Sequence, residues 1–152
     1  VAGLAACLAW AVAACAPGPG LLPAGQAPET SPRDVSTPGL DLKRHHATYL
    51  RPGDCLLTLP RDLIATLVPC ELPHAAEYGS IYVLPEGPWP GESEAMRKAL
   101  DWCGPRLRVR PARREDVKAG ALLPLEHEWP AKRTAYCLAV PREGELVGRV
   151  LK

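Results

Sequence analysis

Six short apolar runs, each set off by nearby proline or glycine, divide the later two-thirds of the chain. They cover residues 54–59, 64–68, 78–84, 121–125, 135–140 and 146–151. Short runs with turn residues between them are typical of antiparallel strands. The pattern therefore predicts a domain built mainly on an antiparallel sheet.

A different periodicity occurs between the third and fourth runs. From Glu92 to Cys103 the apolar residues recur three and four positions apart, acidic residues occupy the first turn, and Gly104-Pro105 follows. This is the pattern of one amphipathic helix of about three turns. A single helix between two groups of strands favours an α+β domain with one covering helix, because parallel βαβ units would need more helices.

The chain begins with an uncharged apolar segment. No charged residue occurs in residues 1–16, and a Pro/Gly stretch follows directly. The segment is shorter than the roughly 20 residues that cross a bilayer, and its composition is that of the apolar region of an export signal. The small residues before Cys15 resemble a bacterial lipobox, in which this cysteine is lipidated. We expect residues 1–16 to be a signal peptide or lipoprotein signal ending at Cys15.

The next segment, residues 17–48, mixes Pro, Gly, Ser, Thr and Ala with few bulky apolar side chains. Such a segment buries too little surface to hold one conformation. We interpret it as a flexible linker that leads to a domain spanning residues 49–152. His45-His46 near its end is a candidate metal-binding pair, but without further ligands nearby it is interpreted as a solvated feature.

The charges of the chain nearly cancel. Lys and Arg total 18 against 17 Asp and Glu, so the formal net charge is +1. So small a charge gives no field to attract nucleic acid, and we expect no nucleic-acid partner. Arg106, Arg108 and Arg110 alternate along the chain, which would place three charges on one face of a strand. A solvated edge strand is the first interpretation, and contact with anionic phospholipid headgroups or cell-wall polymer is the alternative.

Six cysteines are present, and two of them, at positions 7 and 15, lie in the export segment. The four in the domain are Cys55, Cys70, Cys103 and Cys137. Outside the cytoplasm disulfides persist, and four cysteines allow three pairings. A turn centred on residues 62–63 would bring Cys55 opposite Cys70, which leaves Cys103 for Cys137. A zinc site is the alternative, but no Cys-x2-4-Cys unit exists, so we predict two disulfides and no metal or other cofactor.

His74 and Glu77 form the pair that most resembles an acid–base site, because a carboxylate three residues on can orient an imidazole base. No serine with flanking glycines accompanies them. The first interpretation is structural: His74 follows Pro73 in a turn and hydrogen-bonds local backbone, and Glu77 enters the next strand. The alternative is a metal-dependent or His-based envelope hydrolase that uses both residues, which are also candidate partner or metal contacts.

Several short motifs occur in a fixed order through the domain. They are Gly53-Asp54-Cys55, Val68-Pro69-Cys70 with Pro73-His74 and Glu77 after it, Trp89-Pro90-Gly91, Cys103, and Tyr136-Cys137. With these residues the chain, from Arg51 to Lys152, resembles the bacterial septum formation domain family, although Arg149 stands where that family has a small residue. The resemblance implies a membrane-anchored, extracytoplasmic envelope protein associated with septum formation. It carries over no catalytic residue.

These patterns together predict a disulfide-stapled α+β domain at the end of a tether. The expected function is non-enzymatic: a protein held by a lipid or signal anchor on the extracytoplasmic face of the cell membrane, or secreted, that takes part in septum formation by binding another envelope component. Besides the membrane, the candidate partners are an envelope or divisome protein and cell-wall polymer.

Overall fold

The structure is a computed structural model that describes residues 42–152. The predicted export segment, Cys15 and most of the predicted linker lie outside these residues. In chain order the main elements are β1 (Arg44–His46), β2 (Cys55–Leu56), β3 (Ile64–Val68), β4 (Ala76–Val83), α1 (Glu92–Cys103), β5 (Val117–Leu122) and β6 (Thr134–Pro141). The strands form one sheet in the order β1-β3-β2-β4-β6-β5, with neighbours antiparallel. The predicted α+β class with one helix is confirmed.

Strand β6 is an interior strand between β4 and β5, and its alternating side chains contribute to two parts of the core. Tyr136, Leu138 and Val140 pack into the larger cluster, which also holds Leu56 from β2. The small residues between them point to the other face, where Ala135 packs with the helix. Successive side chains of a strand point to opposite faces, so a strand that is apolar throughout can be covered on both sides.

Helix α1 has the bounds that its sequence periodicity predicts. Ala95, Ala99 and Cys103 are its buried residues, and they lie four positions apart on one face. Their small size allows the helix to lie close to the sheet. Cys103 then joins Cys137 of β6 through a disulfide whose Cα atoms are 5.4 Å apart, so the helix end is covalently tied to an interior strand of the sheet.

The second predicted disulfide, between Cys55 and Cys70, is also present, with the Cα atoms 5.3 Å apart. The turn before β3 is centred where the sequence predicts, since the Asp62 carboxylate accepts a hydrogen bond from the Ile64 amide and Leu63 has a φ of 61°. In the ladder, however, Cys55 lies opposite Val68 and not Cys70. Cys70 follows the end of β3 and reaches back to Cys55.

Four predicted boundaries differ from the structure, and the first is that the run at residues 54–59 forms a strand only over Cys55–Leu56. The run at residues 146–151 is not a continuous strand, because its two ends make isolated bridges to different partners, Leu146 to His74 and Leu151 to Val109. Strand β5 covers Val117–Leu122 and not residues 121–125. The folded domain also begins before residue 49, because β1 pairs with β3 and Ala47 is buried.

Candidate functional site

His74 is enclosed by backbone, and of its two ring nitrogens only Nδ1 has a hydrogen-bond partner among the described residues, since Nε2 is buried without one. Its own N–H and C=O exchange hydrogen bonds of 2.9 Å with Leu146, and its side chain is fully buried. Nδ1 lies 2.8 Å from the Leu72 carbonyl oxygen, and a carbonyl only accepts, so Nδ1 carries the proton. The predicted bond from His74 to local backbone is therefore observed.

Glu77 lies in β4, as predicted, with only 1% of its surface exposed. Its Oε2 accepts hydrogen bonds from the Val150 amide at 2.5 Å and the Leu151 amide at 3.1 Å. Its Oε1 is 3.8 Å from Nη1 of Arg149. A buried carboxylate is tolerated when donors and a cation surround it, so Glu77 ties the last residues of the chain to the sheet.

The candidate acid–base pair is therefore divided between two structural roles. Within residues 42–152 no hydrogen bond joins His74 to Glu77, and the two bind different segments. The same residues contain no group of three or more His, Cys, Asp or Glu side chains placed to hold a metal ion. His74 has no exposed surface, and Glu77, which is 1% exposed, borders one pocket.

Above Glu77 lies a two-stranded ribbon, defined as residues 107–110 and 150–152. The Arg110 amide donates to the Val150 carbonyl at 2.8 Å, and the Lys152 amide donates to the Arg108 carbonyl at 2.9 Å. Leu107 packs over Gly79 of β4, where an added Cβ would come within 2.7 Å of a Leu107 methyl carbon. A glycine in the sheet thus makes room for the ribbon.

A pocket of about 360 Å³, which we name the arginine pocket, lies between the ribbon, the Gly53 turn and β4. Its cations are Arg106, Arg108, Arg110, Arg149 and Lys152, and Glu77 is its acidic residue. The arginines at 106, 108 and 110 are exposed while Leu107 and Val109 between them are half-buried, so the predicted alternation is present. Sequence patterning missed Arg149 and Lys152, because only the long-range ladder of the ribbon brings them here.

Tyr78 also lines the arginine pocket. Burial, followed by the neighbouring Tyr136 and Asp54, raises the pKa of Tyr78. The two tyrosine rings are 6.3 Å apart. Tyr78 therefore stays a neutral phenol through the ordinary pH range and adds no negative charge to the pocket.

A larger hollow of about 1010 Å³ lies between the start of α1 and the end of β5. Its walls are mostly apolar and include Leu59, Trp89, Met96 and Leu123. It differs from the arginine pocket in carrying no concentration of like charges. The chemistry of the arginine pocket is therefore the more specific of the two.

Comparisons of the chain with models of known protein families, with characterised proteins and with solved structures found no match. The resemblance to the septum formation family stays a prediction. Among residues 42–152, no helix has both the length and the apolar character needed to cross a bilayer.

Proposed function

We propose that this chain is a non-enzymatic envelope protein, tethered to the extracytoplasmic face of the membrane, that takes part in septum formation by binding another envelope component. The observation that carries the proposal is the pair of disulfides, because such bonds persist in oxidising compartments and are rare in the cytoplasm. The disulfides themselves indicate an extracytoplasmic or secreted environment. The tether and the septal role rest on the sequence motifs.

The non-enzymatic part of the proposal is supported by the enclosure of His74 and Glu77. Glu77 accepts hydrogen bonds from two backbone amides, and His74 is bonded to backbone through Nδ1 while its Nε2 is buried without a partner among the described residues. The binding part is supported by the arginine pocket, which presents several cations at the surface of a nearly neutral protein. Charged concavities are suited to recognition of an oppositely charged group.

Localisation of the full chain tests the tether and the septal role together. A fusion to a fluorescent protein that matures outside the cytoplasm is expected to fractionate with membranes and to concentrate at division sites. Cys15→Ser should release the protein from the membrane, whereas Cys7→Ser, the matched control in the same segment, should not. An even distribution over the envelope, with normal septa after deletion of the gene, would contradict the septal role.

Metal analysis tests the alternative of a metal-dependent hydrolase. The purified, oxidised full chain is expected to contain no stoichiometric zinc and no free thiol from Cys55, Cys70, Cys103 or Cys137. Stoichiometric zinc that is lost in His74→Gln, in a variant that still folds, would favour the hydrolase instead.

A further inference from the structure

In the part of the chain that the structure describes, four of the five cations of the arginine pocket lack the carboxylate partners that Arg97 and Arg133 have elsewhere in the domain; the fifth, Arg149, faces Glu77. Arg97 pairs with Glu94 and Asp101 at 2.6 and 2.8 Å, and Arg133 pairs with Glu86 at 3.2 Å. Within residues 42–152, by contrast, no ion pair involves Arg106, Arg108, Arg110 or Lys152. The positive charge of these four side chains is therefore not balanced by a carboxylate of the described residues.

Three of the four arginines in the pocket are nevertheless fixed in place by hydrogen bonds to neutral carbonyl groups. Arg110 Nε donates to the Leu151 carbonyl at 2.8 Å, and Arg149 Nη1 donates to the Gly53 carbonyl at 2.8 Å. Arg106 Nη1 donates to the Trp102 carbonyl at 2.9 Å, and its guanidinium lies 4.4 Å from the centre of the indole ring. A carbonyl positions a guanidinium without cancelling its charge, so these groups are pre-organised for an anion.

The one carboxylate in the pocket does not cancel this charge. Glu77 is buried, and it accepts hydrogen bonds from two backbone amides in addition to facing Arg149. The Glu77 carboxylate helps to position Arg149. Arg106, Arg108, Arg110 and Lys152 remain as four cations open to one concavity.

We propose that the arginine pocket binds the phosphate group of a small phosphate ester, of the size of glycerol phosphate. Guanidinium groups match the oxygens of phosphate in bidentate geometry, which favours phosphate where several arginines converge. The volume of about 360 Å³ leaves room beside the phosphate for a short polyol. That the pocket binds phosphate is argued from the pocket alone. Whether this phosphate belongs to an anionic lipid headgroup or to a free ester rests on the envelope location in the proposed function.

The binding test uses the full chain with Cys15→Ser, so that no lipid is attached. Glycerol 3-phosphate, inorganic phosphate and acetate are titrated at equal ionic strength and followed by amide NMR shifts. Phosphate compounds are expected to give saturable shifts at Gly53, Gly79 and the ribbon, and acetate much weaker ones. Equal responses to acetate and phosphate, or shifts spread over the whole domain, would overturn the proposal.

Arg108→Gln is the diagnostic variant, because within the described residues the Arg108 side chain makes no ion pair and no hydrogen bond, unlike Arg106, Arg110 and Arg149. We expect it to weaken phosphate binding about tenfold, the loss of roughly one charge-assisted contact, and Arg108→Lys to restore part of it. Arg97→Gln, on the outer face of α1, is the matched control and should leave affinity unchanged. Unchanged affinity in Arg108→Gln would overturn the proposal.

Vesicles identify the source of the phosphate. The same chain is sedimented with phosphatidylcholine vesicles that contain or lack phosphatidylglycerol. Binding to the anionic vesicles that Arg108→Gln weakens supports the lipid headgroup as source, and binding of soluble glycerol 3-phosphate alone supports a free ester. Phosphate binding by a protein spread evenly over the envelope would leave the inference standing while contradicting the septal role, so the two failures are distinguishable.

Discussion

The outer face of α1 and the arginine pocket use the same side chain in opposite ways. On the helix, Arg97 lies between Glu94 and Asp101, three and four positions away, and all three side chains are exposed. In the pocket, Arg110 and Arg149 are held by backbone carbonyls from distant segments. The charge of the helix arginine is balanced by two carboxylates, whereas Arg110 has no carboxylate partner among the described residues.

This difference shows where in the domain a charged ligand would find a partner. An exposed ion pair within a helix contributes little to stability and is screened by salt. A guanidinium that donates a hydrogen bond to a carbonyl is held in one orientation, and its positive charge stays available to a ligand. The number of arginines on a surface therefore says less about binding than the chemical nature of what holds each of them.

The largest expected effect comes from the disulfide that precedes the pocket. Cys103 ends α1 just before Arg106, and its bond to Cys137 spans a sequence separation of 34. In the chain-entropy model, replacing both with alanine costs about 4 kcal/mol of unfolding free energy. Urea denaturation measures it. The pocket should also lose phosphate affinity, because the arginine segment is no longer tied to β6.

The other disulfide provides the matched control. Cys55 and Cys70 are separated by 15 residues, so the double alanine variant should cost less, about 3 kcal/mol. Both variants should keep the Arg97–Glu94 pair, which needs only the helix. An equal or reversed order of the two costs would contradict the loop-size account.

The next largest effect is expected at Glu77, the carboxylate of the arginine pocket. Glu77→Gln keeps an oxygen for the Val150 and Leu151 amides but removes the charge that strengthens both bonds. We expect a loss of about 2 to 3 kcal/mol and faster hydrogen exchange at these two amides. Glu94→Gln on α1 is the control, with no comparable loss. Slow exchange retained at both amides in Glu77→Gln would show that the carboxylate does not fasten the ribbon.

A smaller effect is expected where the Gly53 turn approaches Arg149. A Cβ on Gly53, which has a φ of 92°, would lie 2.6 Å from Arg149 Nη1. Gly144 also has a positive φ, of 61°, but nothing lies within 4 Å of its Cβ position. Both alanine variants suffer backbone strain, which is larger at the φ of Gly53, so the expected difference of about 1.5 kcal/mol combines this extra strain with the arginine contact. Equal melting temperatures for the two would show that Arg149 simply moves aside.

Local patterning was enough for the elements that depend on near neighbours. The bounds of α1 follow from apolar spacing and flanking glycines, and the pairing of Cys55 with Cys70 was predicted from a turn at residues 62–63, although Cys55 lies opposite Val68 in the ladder. Strand β1 was missed because backbone pairing with β3, and not an apolar pattern, orders it. The predicted strand at 146–151 was wrong because alternation alone does not say that its two ends have different partners.

The candidate site was predictable only in the part that lies on one segment. Alternation of Arg106, Arg108 and Arg110 is visible in the sequence and is present in the fold. The contact between Arg149 and Gly53 joins positions 96 residues apart, and that between Glu77 and Val150 joins positions 73 apart. Local sequence patterns do not predict contacts between residues so far apart. The depth of the pocket and the position of Glu77 in it therefore became visible only in the structure.

The smallest effect distinguishes the two kinds of arginine by titration. Hydrogen bonds from Arg97, followed by the charges of Arg97 and Lys98, lower the pKa of Glu94. A carboxyl whose folded pKa is lowered stabilises the fold above its unfolded pKa, and that contribution is lost as pH falls through the folded value. In a carbon-detected NMR titration, Arg97→Gln should raise the Glu94 pKa towards its ordinary value. Arg108→Gln should leave the Glu94 pKa unchanged, because within the described residues Arg108 forms no ion pair with a carboxylate of the helix.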